Sequence, residues 1–233
     1  LDHLRIVVLD EGDQMLDIGF APDIERILRR TPRSRQTLLF SATMPGPIRR
    51  IANRYLKNPA WIRVGGDAEP VEQVKQIYYE VLERDRPALL DKLLEEPGHI
   101  TQALIFRRTK IGVDRLESYL RRRGYDAQAM HGDMTQAQRS AVMTRFRTKS
   151  LRILVASNVA ARGLDIPAVS HVINYDMPSN LEEYIHRIGR TARMGREGTA
   201  IIFVSEWDFP TLDIIQAHVG KDLHQGDQIP LHG

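Results

Sequence analysis

The sequence has no cysteine. A disulfide framework, a thiolate nucleophile and a Cys-based zinc site are thereby excluded. A reducing compartment such as the cytoplasm is the expected setting. Long apolar runs are also lacking. Ile201 to Val204 is among the longest, against the ~20 residues a membrane helix requires, so no membrane partner is expected. The opening residues, LDHLRIVVLD, lack a starting Met and the charged start, long apolar core and cleavage site of a signal peptide. They run straight into a strand pattern, so the chain is expected to be a piece of a longer protein. No internal repeat or low-complexity tract is present. The 233 residues are 42% hydrophobic and 27% charged, an ordinary soluble composition that excludes a disordered tail, a collagen and a coiled coil. The length suits one or two domains.

Neither sign of charge dominates, with 33 Lys and Arg against 30 Asp and Glu, but the distribution is uneven. Residues 98–150 carry 11 basic and 4 acidic groups, whereas 67–97 carry 4 basic and 9 acidic. The basic stretch suits a phosphate backbone. On charge alone a solvated helix face, as at Arg121-Arg122-Arg123, is the plainer reading.

What is present is an alternation of short β-branched runs with helical periodicity. Strands are predicted at Leu4–Leu9, Thr37–Phe40, Trp61–Val64, Gln76–Leu82, Ala103–Phe106, Ala127–Met130, Ile153–Ala156, His171–Asn174 and Thr199–Val204. Several are continuous apolar runs, as strands buried on both faces of a parallel sheet require. Between them, amphipathic segments recur at helical spacing, as in Val113, Leu116 and Leu120. An α/β fold with right-handed crossovers follows. Residues 65–73, GGDAEPVEQ, have little to bury and read as a linker. About three strands precede it and a full parallel set follows. The predicted division is a partial domain at 1–64, the linker at 65–73, a complete domain at 74–220 and a tail at 221–233.

Polar residues gather where predicted strands end, which is where parallel α/β sheets bind ligands. Asp10-Glu11-Gly12-Asp13 follows the first strand. Three acids in four residues repel unless a cation or basic partner neutralises them. An acidic loop capping a helix is an equal reading of this motif alone. Ser41-Ala42-Thr43 ends the second strand, and an N-cap before Pro45 is its simpler reading. In His186-Arg187-Ile188-Gly189-Arg190-Thr191-Ala192-Arg193, arginines at i, i+3 and i+6 lie roughly on one face of a helix or helix–loop and would repel unless facing an anion. A solvated basic helix is the plainer alternative, which the flanking Gly189 and His186 disfavour. Ser157-Asn158 and Arg162-Gly163-Leu164-Asp165 follow the strand ILVA. His131-Gly132-Asp133, with Gln136 and Arg139, follows another, and Arg107-Arg108-Thr109 ends LIF.

Taken in order, DEGD, SAT, LIFRRT, HGDMTQAQR, ASNVAARGLDI and HRIGRTARMG resemble the DEAD-box family of ATP-dependent RNA helicases. The connectors MLDIGF, LKNP and INYDMP match as well, and the resemblance covers residues 2–220. It implies two RecA-like domains, the first partial here, that close around ATP, Mg²⁺ and single-stranded or short duplex RNA. Asp10 would engage Mg²⁺, and Glu11, also near the metal, would position the attacking water. Asp13, His186, Ser41, Thr43 and Arg162 would couple ATP state to closure. Arg190 and Arg193 would reach the γ-phosphate, and Gly163 and Asp165 would complete the nucleotide site. Thr109, Gly132, Gln136, Arg139, Ser157 and Asn158 would line an RNA path that reads phosphate and sugar, with little sequence preference.

The sequence departs from the family pattern in places. Gly12 stands where the family's name has Ala, Ser157-Asn158 where Thr-Asp is usual, and Ala192 where Gly is usual. No G-x-x-x-x-G-K-[ST] occurs, so the phosphate-cradling loop is absent from these residues. The resemblance therefore implies a portion of a helicase that is inactive without a missing N-terminal half. A non-catalytic RNA-binding fragment is the alternative, and a DNA-directed translocase with similar domains is a third reading.

Overall fold

The computed structural model describes residues 1–17, 19–41, 44, 46–63, 74–96, 100–161, 166–191 and 197–231. The chain divides into two compact units, Leu1–Gly66 and Asp67–Gly233.

In the first unit, β1 (Ile6–Leu9) pairs in parallel with β2 (Gln36–Leu39), Ile6 opposite Gln36 and Leu9 opposite Leu39. Helix α1 (Gly12–Asp17) begins directly after β1. Helices α2 (Ala21–Arg29) and α3 (Gly46–Tyr55) bury Ile24 and Leu28, and Ile48, Ile51 and Ala52. These are i, i+3 and i, i+4 spacings, which place each set on one helix face. Pro22, in the first turn of α2, presets the helical φ where no N–H is needed. Of the strand predicted at Trp61–Val64, residues 61–63 form no strand and Val64 lies outside the described residues. Trp61 and Ile62 are exposed there, because an apolar run becomes a strand only against a partner.

The second unit is built on a seven-stranded parallel sheet in the order β5-β6-β4-β7-β8-β3-β9. The strands are β3 (Val74–Glu80), β4 (Ala103–Arg107), β5 (Ala127–Met130), β6 (Ile153–Ser157), β7 (His171–Asn174), β8 (Gly198–Val204) and β9 (Leu223–Gln225). Alternate residues point to opposite faces. Ala103, Ile105, Ile153, Val155, Ile201 and Phe203 face one core, with α4 (Arg86–Glu95) and α5 (Lys110–Arg122). On the other face Leu104, Phe106, Leu154 and Ala156 meet Val142, Met143 and Phe146 of α6 (Gln136–Arg147). Ala200, Ile202 and Val204 meet α8 (Leu181–Ile188) and α9 (Phe209–Val219). A short helix, α7 (Asn158–Ala161), follows β6. Burial on both faces explains why β4 and β6 read as unbroken apolar runs.

The sheet does not stop at residue 220. β9, within the segment read as a tail, adds an edge strand beside β3, and the Gly226 N–H donates to the Tyr78 carbonyl at 2.8 Å. Ile229 and Leu231 then pack on the α4–α5 core. Three residues are too few for a period-2 pattern to register, so β9 left no signal in the sequence.

Candidate functional site

The acidic motif sits at the C-terminal end of β1. The Glu11 N–H donates to Asp10 Oδ1 at 2.9 Å, and Glu11 itself takes left-handed backbone with φ 51°, a conformation rare outside glycine. The Gly12 N–H donates to the Phe40 carbonyl at 3.0 Å and the Asp13 N–H to Ser41 Oγ at 3.0 Å. Asp13 is buried and Asp10 exposed. The structure thus brings Asp10, Glu11, Asp13 and Ser41 together; Thr43 lies outside the described residues. A methyl on Gly12 would meet Leu39 Cδ1 at 2.9 Å and Ile48 Cδ1 at 3.2 Å, so this core is filled up to the glycine. Asp10 and Glu11 offer the hard oxygen donors that Mg²⁺ takes. Among the described residues no group of three or more His, Asp or Glu gathers as a metal cage. Such a pair fits a cation that keeps most of its water and binds phosphate oxygens.

In the second unit, the candidate residues collect along the rim formed by the C-terminal ends of β4, β5 and β6 and by α8. Thr109 caps α5, its Oγ1 accepting from the Gly112 N–H at 3.0 Å. The loop after β5 is tied to α5 twice: His131 Nε2 lies 2.9 Å from Asp114 Oδ1, and Lys110 Nζ lies 2.7 Å from Asp133. The hydrogen bond and charge of Lys110 hold the Asp133 carboxyl below its ordinary range. These pairs tie the residues on either side of Gly132 to the first two turns of α5. A Cβ on Gly132 would meet nothing within 4 Å, so its surface is open. Gln136 is exposed at the start of α6, whose N-terminus carries a capping box of Thr135 and Gln138. Arg139, one turn on, donates to the Ala160 carbonyl at 2.9 Å and so joins α6 to α7. Ser157 is buried at the end of β6.

Within the arginine stretch, Arg187 and Arg190 part company. Helix α8 ends at Ile188, Arg190 lies half-buried in the following turn, and Arg193 is outside the described residues, as are Arg162, Gly163 and Asp165. Arg187 points inward instead of toward an anion in solution. Its Nε donates to Asn158 Oδ1 at 2.9 Å, its Nη1 to Asn174 Oδ1 at 2.8 Å and the Asp176 carbonyl at 2.9 Å, and its Nη2 to Glu183 Oε1. Its guanidinium carbon stands 4.9 Å from the centroid of the Phe106 ring. Because α8 ends at Ile188, helical spacing does not relate Arg190 to Arg187.

Burial pulls the Arg187 guanidinium down to about 10 against the opposing pull of Glu183, which leaves it cationic at neutral pH. Burial alone would raise the Glu183 carboxyl. The charge of Arg187 and hydrogen bonds from Ser179 and Asn158 outweigh it and hold the group below its ordinary range. Asn158, assigned to the RNA path by resemblance, has its amide turned to Glu183 and Arg187. His186, half-buried on α8, shares the last turn with Arg187.

A second buried network, which the sequence did not disclose, fixes the same rim. Asp176 accepts the Arg108 N–H at 2.7 Å and pairs with Arg86 at 3.3 Å and Arg107 at 3.2 Å. Arg86 also reaches Asp208 at 3.0 Å. Arg107 stacks 4.5 Å above Tyr175, whose phenol burial pushes up to about 12. The connector INYDMP held Asp176, but nothing in its spacing announces three arginine partners from two distant segments.

The DEAD/DEAH box helicase profile matches residues 1–51, and the helicase conserved C-terminal domain matches residues 85–195. The ATP-dependent RNA helicase CshA of Listeria monocytogenes is 47% identical over 96% of this chain and 43% of its own length. The DEAD-box ATP-dependent RNA helicase CshA of Geobacillus kaustophilus is 47% identical over 97% and 48%. The chain therefore spans about half the length of these curated relatives. Among solved structures, S. cerevisiae Dbp5 bound to RNA and ADP BeF3 aligns with a TM-score of 0.83 at 34% identity, covering 97% of this chain and 60% of that one. E. coli DEAD-box protein SrmB, bound to regulator of ribonuclease activity A, aligns with a TM-score of 0.64 at 38% identity, covering 68% of this chain and 94% of that one. Ordered motifs, RecA-like parallel sheet and relatives agree: the chain belongs to the DEAD-box helicase family, with Gly12 in the place of the alanine that names it.

Proposed function

We propose that this chain is the portion of an ATP-dependent RNA helicase that couples binding and hydrolysis of Mg-ATP to domain closure on RNA and to duplex unwinding. The observation that carries the reading is the gathering of Thr109, Gly132, Gln136, Arg139 and Ser157 on one rim of a RecA-like sheet, at the strand ends where such sheets bind ligands. In this reading those residues line the path of the RNA phosphates and sugars, with little preference for base sequence. The structures of Dbp5 with RNA and ADP BeF3 support it by likeness.

Asp10 and Glu11 would hold Mg²⁺ through water, and the ion supplies neutralisation of phosphate charge when bound. Glu11 orients the attacking water and accepts its proton. Asp13, held against Ser41 by its own N–H, couples this site to closure together with Thr43, His186 and Arg162. Arg190 and Arg193 offer guanidinium donors to the terminal phosphate, where charge builds in phosphoryl transfer. Gly163 and Asp165 complete the nucleotide site.

The 233 residues hold no phosphate-cradling loop. We therefore expect no RNA-stimulated ATP turnover from this chain alone, and weak, salt-sensitive RNA binding that does not need ATP. The test is ATP hydrolysis with and without RNA, with Glu11→Gln beside it. Turnover abolished by Glu11→Gln would show that the acidic site works without that loop and overturn the dependence on one. Absence of RNA binding even at low salt would overturn the RNA path, and a clear preference for DNA over matched RNA would replace the substrate.

A further inference from the structure

The side chain of Asn158 is committed at both ends. Its Nδ2 donates to Glu183 Oε1 at 2.6 Å, and its Oδ1 accepts from Arg187 Nε at 2.9 Å. Arg187 Nη2 donates to the same Glu183 oxygen. Carboxylate, amide and guanidinium therefore close a ring of three side chains, in which Glu183 and Arg187 are buried. The other Glu183 oxygen is taken by the N–H and hydroxyl of Ser179, at 3.2 and 2.8 Å.

The ring has a charge rule. A buried guanidinium needs an anion beside it, and Glu183 is that anion. The third member must accept from Arg187 and donate to Glu183 at once, which an amide does and an ionised carboxylate cannot. A second acid at 158 would stand against Glu183 at hydrogen-bond distance, and two such carboxylates hold a proton between them. Among the described residues, Asp176, whose carbonyl accepts from Arg187, and Arg108 also bear on the Arg187 charge.

We propose that Asn158 is a positioning residue rather than an RNA ligand: with Glu183 it holds the Arg187 hub that joins the end of β6 to α8, and the acid and the amide can be exchanged between positions 158 and 183. Its effect reaches the nucleotide side through the chain, since the Arg187 carbonyl accepts the Arg190 N–H at 3.1 Å. That consequence rests on the helicase reading; the ring itself does not.

The test uses the whole chain in four forms: unaltered, Asn158→Asp, Glu183→Gln, and the two together. Urea unfolding is followed from about pH 5 to about pH 8, and binding of a single-stranded RNA oligonucleotide is measured at low salt. Asn158→Asp creates an acid pair whose folded proton affinity lies above its unfolded one. Its midpoint should match the unaltered chain near pH 5 and fall progressively as pH rises. Glu183→Gln removes the anion and should lower the midpoint throughout. The double variant restores one acid and one amide, so its midpoint should return close to the unaltered value and lose the pH slope, with RNA affinity unchanged within twofold. Losses that simply add, without rescue, would overturn the ring. Rescued folding with RNA binding weakened tenfold would overturn the positioning role and make Asn158 a ligand. If the unaltered chain binds no RNA, the RNA reading fails while the unfolding series still decides the exchange.

Discussion

The backbone N–H of Asp13 donates to the hydroxyl of Ser41 across a separation of 28 residues, at 3.0 Å. One hydrogen bond thereby locks the acidic motif that ends β1 to the hydroxyl motif that ends β2. Removing the hydroxyl leaves a partly buried donor unmatched, at a cost of about 1–3 kcal/mol. Ser41→Ala is expected to speed hydrogen exchange at the Asp13 amide, and Ser41→Thr to preserve its protection. Unchanged exchange in Ser41→Ala would show that the bond does not hold the motif.

Gly112 touches Arg107 so closely that a Cβ there would lie 2.8 Å from Nη2 and 2.9 Å from Nε. Arg107 is the side chain that pairs with Asp176 and stacks on Tyr175. Gly112→Ala is expected to push the guanidinium off the ring and destabilise the second unit by about 1–2 kcal/mol, the worth of a desolvated cation–π contact. With Arg107→Ala already present the clash is gone, so the double variant should cost less than the sum of the singles. A cycle of urea unfolding measurements gives the coupling, and strict additivity would rule out the contact.

Gly226 follows β9 directly and lies against the Tyr79 ring, where a Cβ would overlap Cε1. Gly226→Ala should lift the last strand from β3, with an overpacking cost of about 1–3 kcal/mol. Faster exchange is expected at the amides of Leu223–Gly226, while β4 and β6 at the centre of the sheet stay protected. Slow exchange retained at those edge amides would mean that the strand repacks around the methyl.

Glu183 sets an acid limb of stability. Its folded carboxyl titrates below its ordinary value, because Arg187 and the hydrogen bonds from Ser179 and Asn158 outweigh burial. A depressed carboxyl contributes stability that is fully present above its unfolded pKa and is lost as pH falls through the folded one. Unfolding of the whole chain is thus expected to become easier below about pH 4.5, the ordinary Glu range. Glu183→Gln should flatten that limb while lowering stability at neutral pH. A limb of unchanged steepness in the variant would assign the acid sensitivity elsewhere.

Much of this protein was legible in its sequence. Unbroken apolar runs such as Leu104–Phe106 and Ile153–Ala156 announced strands buried on both faces, because only a parallel sheet covered by helices hides every side chain of such a run. Polar residues just past those runs marked the rim, since chain direction alone puts them at the C-terminal ends. The ordered motifs identified the family.

Partner choice was not legible. Helical spacing put Arg187 with Arg190 on an anion-facing surface, yet the fold ended α8 at Ile188 and turned Arg187 inward to Glu183, Asn158 and Asn174. Trp61–Arg63 had the residues of a strand and formed none, whereas Leu223–Gln225 had too few to signal one and found the open edge of β3. Periodicity records which side chains avoid water, and it is local. Which cation meets which anion, and which backbone edge is free to pair, depends on segments far apart in the chain, so those were settled only when the sheet assembled.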